Sequence, residues 1–162
     1  MCIAEINKID PKYRFHVLRG LGLSIGAECG DDMLRADHDI SEIDKESKPY
    51  VYEGLGEWIG LIWGHRPDLC VSRVSKITRQ YQAYAYRGMG EMVGFKFGQN
   101  TAYCIGLSEK IEVEYQCYYF EGLARTQVRR YKYYLKKEPS SFIKQIPQRC
   151  QPFLENRLQE IE

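Results

Sequence analysis

The stretch Y-V-Y-E-G-L-G-E-W-I-G-L-I-W-G, residues 50–64, decides the fold because the chain writes it again. Thirty-four residues later, positions 84–98 read Y-A-Y-R-G-M-G-E-M-V-G-F-K-F-G. Thirty-four residues earlier, positions 16–30 read H-V-L-R-G-L-G-L-S-I-G-A-E-C-G, and Y-Y-F-E-G-L-A-R-T-Q-V-R opens a fourth copy at Tyr118. Copies 49–82 and 83–116 agree at twelve of thirty-four positions without a gap. An ungapped period in the range of about 20–50 residues marks a helical array or a propeller.

Periodicity inside each copy selects the helical array. Ala36, Asp37, Ile40 and Ile43 have the same spacing as Cys70, Val71, Val74 and Ile77, and as Cys104, Ile105, Ser108 and Ile111. That spacing lines up one face of a helix. Each copy therefore reads as a glycine-rich helix A followed by a shorter amphipathic helix B. The first helix A is predicted over 13–29, and the B helices over 33–45, 68–81 and 102–115. Gly30, Gly64 and Gly98 share the position after each helix A, where a left-handed glycine closes a helix. Asp31 or Asp32, Asp68 and Thr101 are expected to cap the helices that follow. The fourth copy loses its later glycines to Ala124, Val128 and Lys132, so its helix A is predicted to run on to 137, before Pro139.

The expected architecture is a single all-α domain over 1–162, an α-solenoid of about four 34-residue helical hairpins. Its boundaries fall at about 15–48, 49–82, 83–116 and 117–150. A half repeat, 1–12, carries the B pattern in Cys2, Ile3, Ile6 and Ile9, and a modified cap covers 151–162. Terminal units of such arrays are expected to depart from the pattern because they close the stacked core.

A 34-residue unit with a large apolar residue followed by Leu-Gly resembles the tetratricopeptide repeat. The matching residues are Leu18-Leu21-Gly22, Tyr52-Leu55-Gly56, Tyr86-Met89-Gly90 and Phe120-Leu123-Ala124, with Ile25, Ile59 and Val93 at the next core position. The agreement is confined to helix A; the small residues and closing proline of that family's helix B are absent. The resemblance implies a right-handed superhelix whose A helices line a concave groove that binds a partner protein, as a scaffold, adaptor or assembly chaperone.

Groove-facing positions follow from that resemblance. One row is His16, Tyr50, Tyr84 and Tyr118; a second is Arg19, Glu53, Arg87 and Glu121, alternating in sign; a third is Leu23, Glu57, Glu91 and Arg125. The candidate site is therefore Arg19, Tyr50, Glu53, Glu57, Tyr84, Arg87, Glu91, Tyr118, Glu121 and Arg125. These are expected to be exposed, although Arg19, Glu53, Arg87 and Glu121 suit a ladder of ion pairs between adjacent helices better than a ligand site. Two alternatives stand beside groove binding: a structural protein that self-assembles through the N-terminal half repeat, and an RNA-binding protein. The second rests on 125–137, where Arg129, Arg130, Lys132, Lys136 and Lys137 alternate with tyrosines, as in single-strand contact surfaces.

Composition narrows the classes further. Twenty-three basic and twenty-two acidic residues give a net charge of +1, so bulk attraction to nucleic acid is not indicated. The N-terminus has no signal-peptide core, which predicts a cytoplasmic, intracellular protein. Six cysteines without a C-x-x-C pair are read as buried free thiols, and the three histidines sit at no metal spacing. Neither cofactor nor metal is expected, and no arrangement supports an enzyme. Gly20, Gly22 and Gly26, repeated as Gly54, Gly56 and Gly60 and as Gly88, Gly90 and Gly94, are the anomaly. Each costs about 1 kcal/mol against alanine inside a helix. Close approach of neighbouring backbones is the expected compensation, because the phosphate-loop lysine of a nucleotide site is missing.

Overall fold

Asp10 starts the first helix: its carboxylate accepts from Lys12 N–H at 3.0 Å, and Pro11 follows at the first position. The computed structural model describes residues 6, 8–130, 140–152 and 154. In chain order the helices are α1 (Pro11–Cys29), α2 (Met33–Ser41), α3 (Lys48–Trp63), α4 (Pro67–Val74) and α5 (Arg79–Phe97). They continue with α6 (Thr101–Ser108), α7 (Gln116–Arg130), α8 (Ser140–Ile143) and a 3-10 turn, Gln148–Cys150. There is no strand among the described residues, and no helix among them is long and apolar enough to cross a membrane. The protein is all-α.

The long helices α1, α3, α5 and α7 lie side by side in chain order, and the short helices α2, α4 and α6 each pack against the long ones flanking them. Gly56, Gly60 and Gly64 of α3 face Ala85, Met89 and Val93 of α5, so these two helices run parallel in step. Gly90, Gly94 and Gly98 of α5 face Tyr119, Leu123 and Gln127 of α7 in the same way.

Two contacts recur every 34 residues. A Cβ on Gly22, Gly56 or Gly90 would overlap the carbonyl oxygen of Val51, Ala85 or Tyr119 respectively. A Cβ on Gly54, Gly88 or Gly122 would overlap that of Arg19, Glu53 or Arg87. Each neighbouring pair of long helices is thus locked from both sides by backbone against backbone. At such separations Cα–H groups meet carbonyl oxygens, a weak attraction available only where side chains are absent. This is the expected compensation for helical glycine. Gly20 breaks the series, having nothing within 4 Å of its Cβ position.

Gly64 and Gly98 depart from the expected role. Gly30 has φ 58° and closes α1 in the left-handed region, but Gly64 (φ −54°) and Gly98 (φ −61°) are right-handed. Both are third members of a glycine stripe: a Cβ at Gly64 would press on Phe97, and one at Gly98 on Gln127. The short helices also end early, at 41, 74 and 108. Ile43, Ile77 and Ile111 remain buried beyond them, in turns whose carbonyls need partners. Gln82 and Gln116, both buried, donate to the carbonyls of Ile77 and Ile111 at 2.9 Å each. Asp32 caps α2 as expected; α4 opens on Pro67 after Arg66, and Asn100, not Thr101, caps α6.

The core is continuous. Leu18, Tyr52, Tyr86 and Phe120, one residue per copy, are fully buried, and Tyr81 and Tyr115 stack on Tyr52 and Tyr86 at 4.5 and 5.3 Å. Cys70 and Cys104 are buried and outside any disulfide, as their shared position predicts. Cys117 and Cys150 are instead joined in a disulfide, contrary to the expectation of free cysteines throughout. They lie 33 residues apart, one short of the period, so the pattern that relates Cys70 to Cys104 does not find them. The N-terminal half repeat is described only from Ile6, which is buried; Cys2, Ile3 and most of the C-terminal cap lie outside the described residues.

Two predictions follow from this packing. Gly56→Ala or Gly88→Ala should lower unfolding stability by about 3 kcal/mol, as overpacking against backbone does. Gly20→Ala should raise it by up to about 1 kcal/mol, so denaturant midpoints that move alike for all three would refute the lock. Reduction of Cys117–Cys150, or Cys150→Ser, should cost about 3–4 kcal/mol by releasing that loop in the unfolded chain, read from thermal melts with and without reductant.

Candidate functional site

The long helices present the three predicted rows on one face of their layer. On that face charged side chains reach past a neighbouring helix to the next. Arg19 on α1 bonds Glu91 on α5 at 2.8 Å, and Arg125 on α7 bonds Glu53 on α3 at 2.6 Å. Seven charged residues thereby form one network. Arg19 also contacts Glu57 directly and lies 3.6 Å from Glu53. Arg87 bridges Glu53 at 3.3 Å and Glu121 at 3.0 Å, while Arg125 adds Glu91 and Glu121 at 3.4 Å each.

Glu53 is the hub, meeting three guanidinium groups. The charged rows are expected to face solvent, and here the structure differs: Glu53, Glu57 and Glu121 are 4 %, 7 % and 2 % exposed. The glycine locks draw the helices so close that arginines from both sides fold over the carboxylates between them. The alternating row does pair between adjacent helices, but pairs across two helices accompany it. Burying such charges is costly unless each is matched, and removing one partner strands the rest.

The tyrosine row takes three different environments. Tyr84 and Tyr118 are half-buried, with the Arg87 guanidinium over their rings at 5.4 and 5.9 Å. Tyr50 is 44 % exposed. A cleft of about 650 Å³ opens where the rows meet α1. Tyr50, Glu53, Glu57, Arg87, Glu91 and Arg125 line it together with Phe15, His16, Arg19 and Leu23. Phe15 has no counterpart in the predicted rows; its only signal is its place one turn before Arg19. Arg129 and Arg130 have no described side chains, and Lys132, Lys136 and Lys137 lie outside the described residues.

Electrostatics give the cleft a distinctive group. Four carboxylates face three guanidinium groups, leaving one negative charge in excess. Burial pushes Glu57 up to about 7; Arg19 opposes the shift, while Glu91 and Glu53 reinforce it. Near neutral pH Glu57 thus shares its time between the charged state and a protonated one that balances the network. Burial also works against the charge on Arg19, but Glu91, Glu57 and Glu53 outweigh it and hold its pKa above the ordinary value. Arg125 is raised in the same manner, with Glu53 the main opponent of burial. Glu53, Glu57 and Glu91 each bring an oxygen within 4.8 Å of the others, the geometry of a shared cation; the arginines provide that positive charge.

A raised carboxyl binds its proton more tightly in the folded chain than in the unfolded one, where glutamate titrates near about 4.3. Its stabilising contribution is full below that value and is lost as pH rises through about 7. Wild type should therefore lose about 1–2 kcal/mol of stability across that window, after allowance for solvent screening. Glu57→Gln should be flat over the same window and more stable than wild type at about pH 8. Parallel pH profiles of the two melting temperatures would contradict the assignment. No family model, curated protein or solved structure matches the chain.

Proposed function

We propose that the chain is an α-solenoid of helical hairpins, similar to tetratricopeptide arrays, that holds a segment of a partner protein against its concave face. The observation that carries this reading is the cleft, where an exposed tyrosine and a fixed charge network share one surface. Arginines already bonded in place and tyrosines under a guanidinium form a preorganised surface, which reduces the entropy lost on binding. Tyrosine and arginine are also the residues that most often dominate protein interfaces. Leu61 and Phe95, equivalent positions one turn beyond Glu57 and Glu91, are 37 % and 74 % exposed and extend the face with apolar area.

Arginines hold every carboxylate in the cleft, an arrangement that favours a binding role. A cytoplasmic scaffold, adaptor or assembly factor fits the sequence, although Cys117–Cys150 is a bond that persists mainly in oxidising compartments.

Arginines of the network make poor probes, because their loss would unfold the chain. Tyr50→Ala with Tyr84→Ala removes contact area and leaves the ion pairs intact. Tagged full-length protein recovered from its own cells should retain a partner that the double variant loses by about tenfold, at unchanged circular dichroism. Equal recovery by wild type and variant would sink the groove reading.

A further inference from the structure

One hydrogen bond carries the repeat past its regular part. Gln82 and Gln116 donate to the carbonyls of Ile77 and Ile111 at 2.9 Å, and Gln151 donates to that of Ile146 at 2.8 Å. The first step is one period and the second is one residue longer. Counted from these glutamines, Cys150 stands at the position of Tyr81 and Tyr115, and Leu154 at that of Ala85 and Tyr119. Leu154 is fully buried, as Ala85 and Tyr119 are.

The earlier junctions between hairpins have two contacts that this one lacks. Tyr81 stacks on Tyr52 and Tyr115 on Tyr86, whereas Cys150 has no ring to set on Phe120. Gly56 and Gly90 admit the carbonyls of Ala85 and Tyr119; the residue at that position on α7 is Ala124, which carries the Cβ that so close an approach excludes. A covalent tie stands in their place: Cys117, one turn before Phe120 on α7, is bonded to Cys150. We propose that this disulfide is a redox-operated latch. Closed, it holds residues 140–152 against α7; opened by a low-molecular-weight thiol, it releases them while the earlier hairpins stay folded.

The two sulfurs differ in access. Cys150 is fully buried, whereas Cys117 is partly exposed. The thiolate of the small thiol therefore attacks Sγ of Cys117. A new sulfur–sulfur bond forms, the Cys117–Cys150 bond breaks, and its electron pair leaves on Sγ of Cys150, which takes up a proton. A second thiolate then attacks the small thiol's sulfur in the mixed disulfide. Cys117 departs as a thiolate at the second position of α7, where a helix N-terminus favours negative charge. The protein disulfide is reduced by two electrons, and two small thiols are oxidised to their disulfide; the oxidised form runs the same steps backward. Disulfides of reducing compartments are usually transient and redox-sensing in this way.

Hydrogen–deuterium exchange of the full chain in glutathione buffers tests the latch, with alkylation and mass spectrometry reporting the state of Cys117 and Cys150. An excess of reduced glutathione should open the bond in the native chain. Exchange in residues 140–152 should then quicken by about tenfold or more, with residues 48–108 unchanged, and oxidised glutathione should reverse both effects. Cys117→Ser with Cys150→Ser should show the faster exchange in either buffer. A bond that resists glutathione until the chain is unfolded overturns the latch. Reduction that leaves residues 140–152 unchanged, or that loosens the whole chain alike, overturns it too. The readout lies at one end of the chain and does not depend on whether the groove holds a partner.

Discussion

Contact between the backbones of parallel helices is the constraint to which the rest of this chain conforms. Helix association in water ordinarily proceeds through interlocking side chains at 8–10 Å between axes. Here the carbonyls of residues 19, 53 and 87 sit where the side chains of Gly54, Gly88 and Gly122 would be. A helix rich in glycine is a poor helix alone, and its stability comes from its neighbours. The fold is therefore cooperative in a particular way. No long helix is worth much until the next has docked, and each docking supplies the surface for another.

That closeness also explains the charge network. At ordinary spacing Arg19 and Glu91, separated by a helix, would not meet. Drawn together by the glycine contacts, they do, and carboxylates that would have been solvated become buried. The network does not give stability cheaply, since desolvation offsets much of the attraction. What it supplies is discrimination: a helix displaced by one turn would set charge against apolar surface. The glycines allow many sliding positions along a smooth face, and the ion pairs choose one of them.

Much of this was legible in the residues. The period, the order of long and short helices and the meaning of the inner glycines follow from spacing alone, because each is a local pattern repeated. The burial of Glu53 and Glu57 was not legible, since it depends on ion pairs between helices that are not neighbours, which no linear spacing records. The glycines at 64 and 98 were misread for a related reason: a closing glycine and a packing glycine look the same in sequence, and only the presence of Phe97 and Gln127 tells them apart. The early ends of the short helices left a trace that spacing could have found, an isoleucine followed five residues later by glutamine at 77–82 and 111–116. Cys117 and Cys150 pair through the atypical end of the chain, where the period no longer guides the reading.

The alternation Arg19, Glu53, Arg87, Glu121 has a bearing on how such a chain can grow. The backbone repeats every hairpin, but the sign of the charge repeats every second one. Loss of a single internal hairpin would bring Arg19 beside Arg87, and insertion of one copy would set glutamate against glutamate or arginine against arginine. Either event leaves like charges buried side by side, where repulsion is strongest. For this row the unit that can be duplicated or deleted while keeping opposite charges adjacent is the pair of hairpins, so parity, rather than length, is what the alternation constrains.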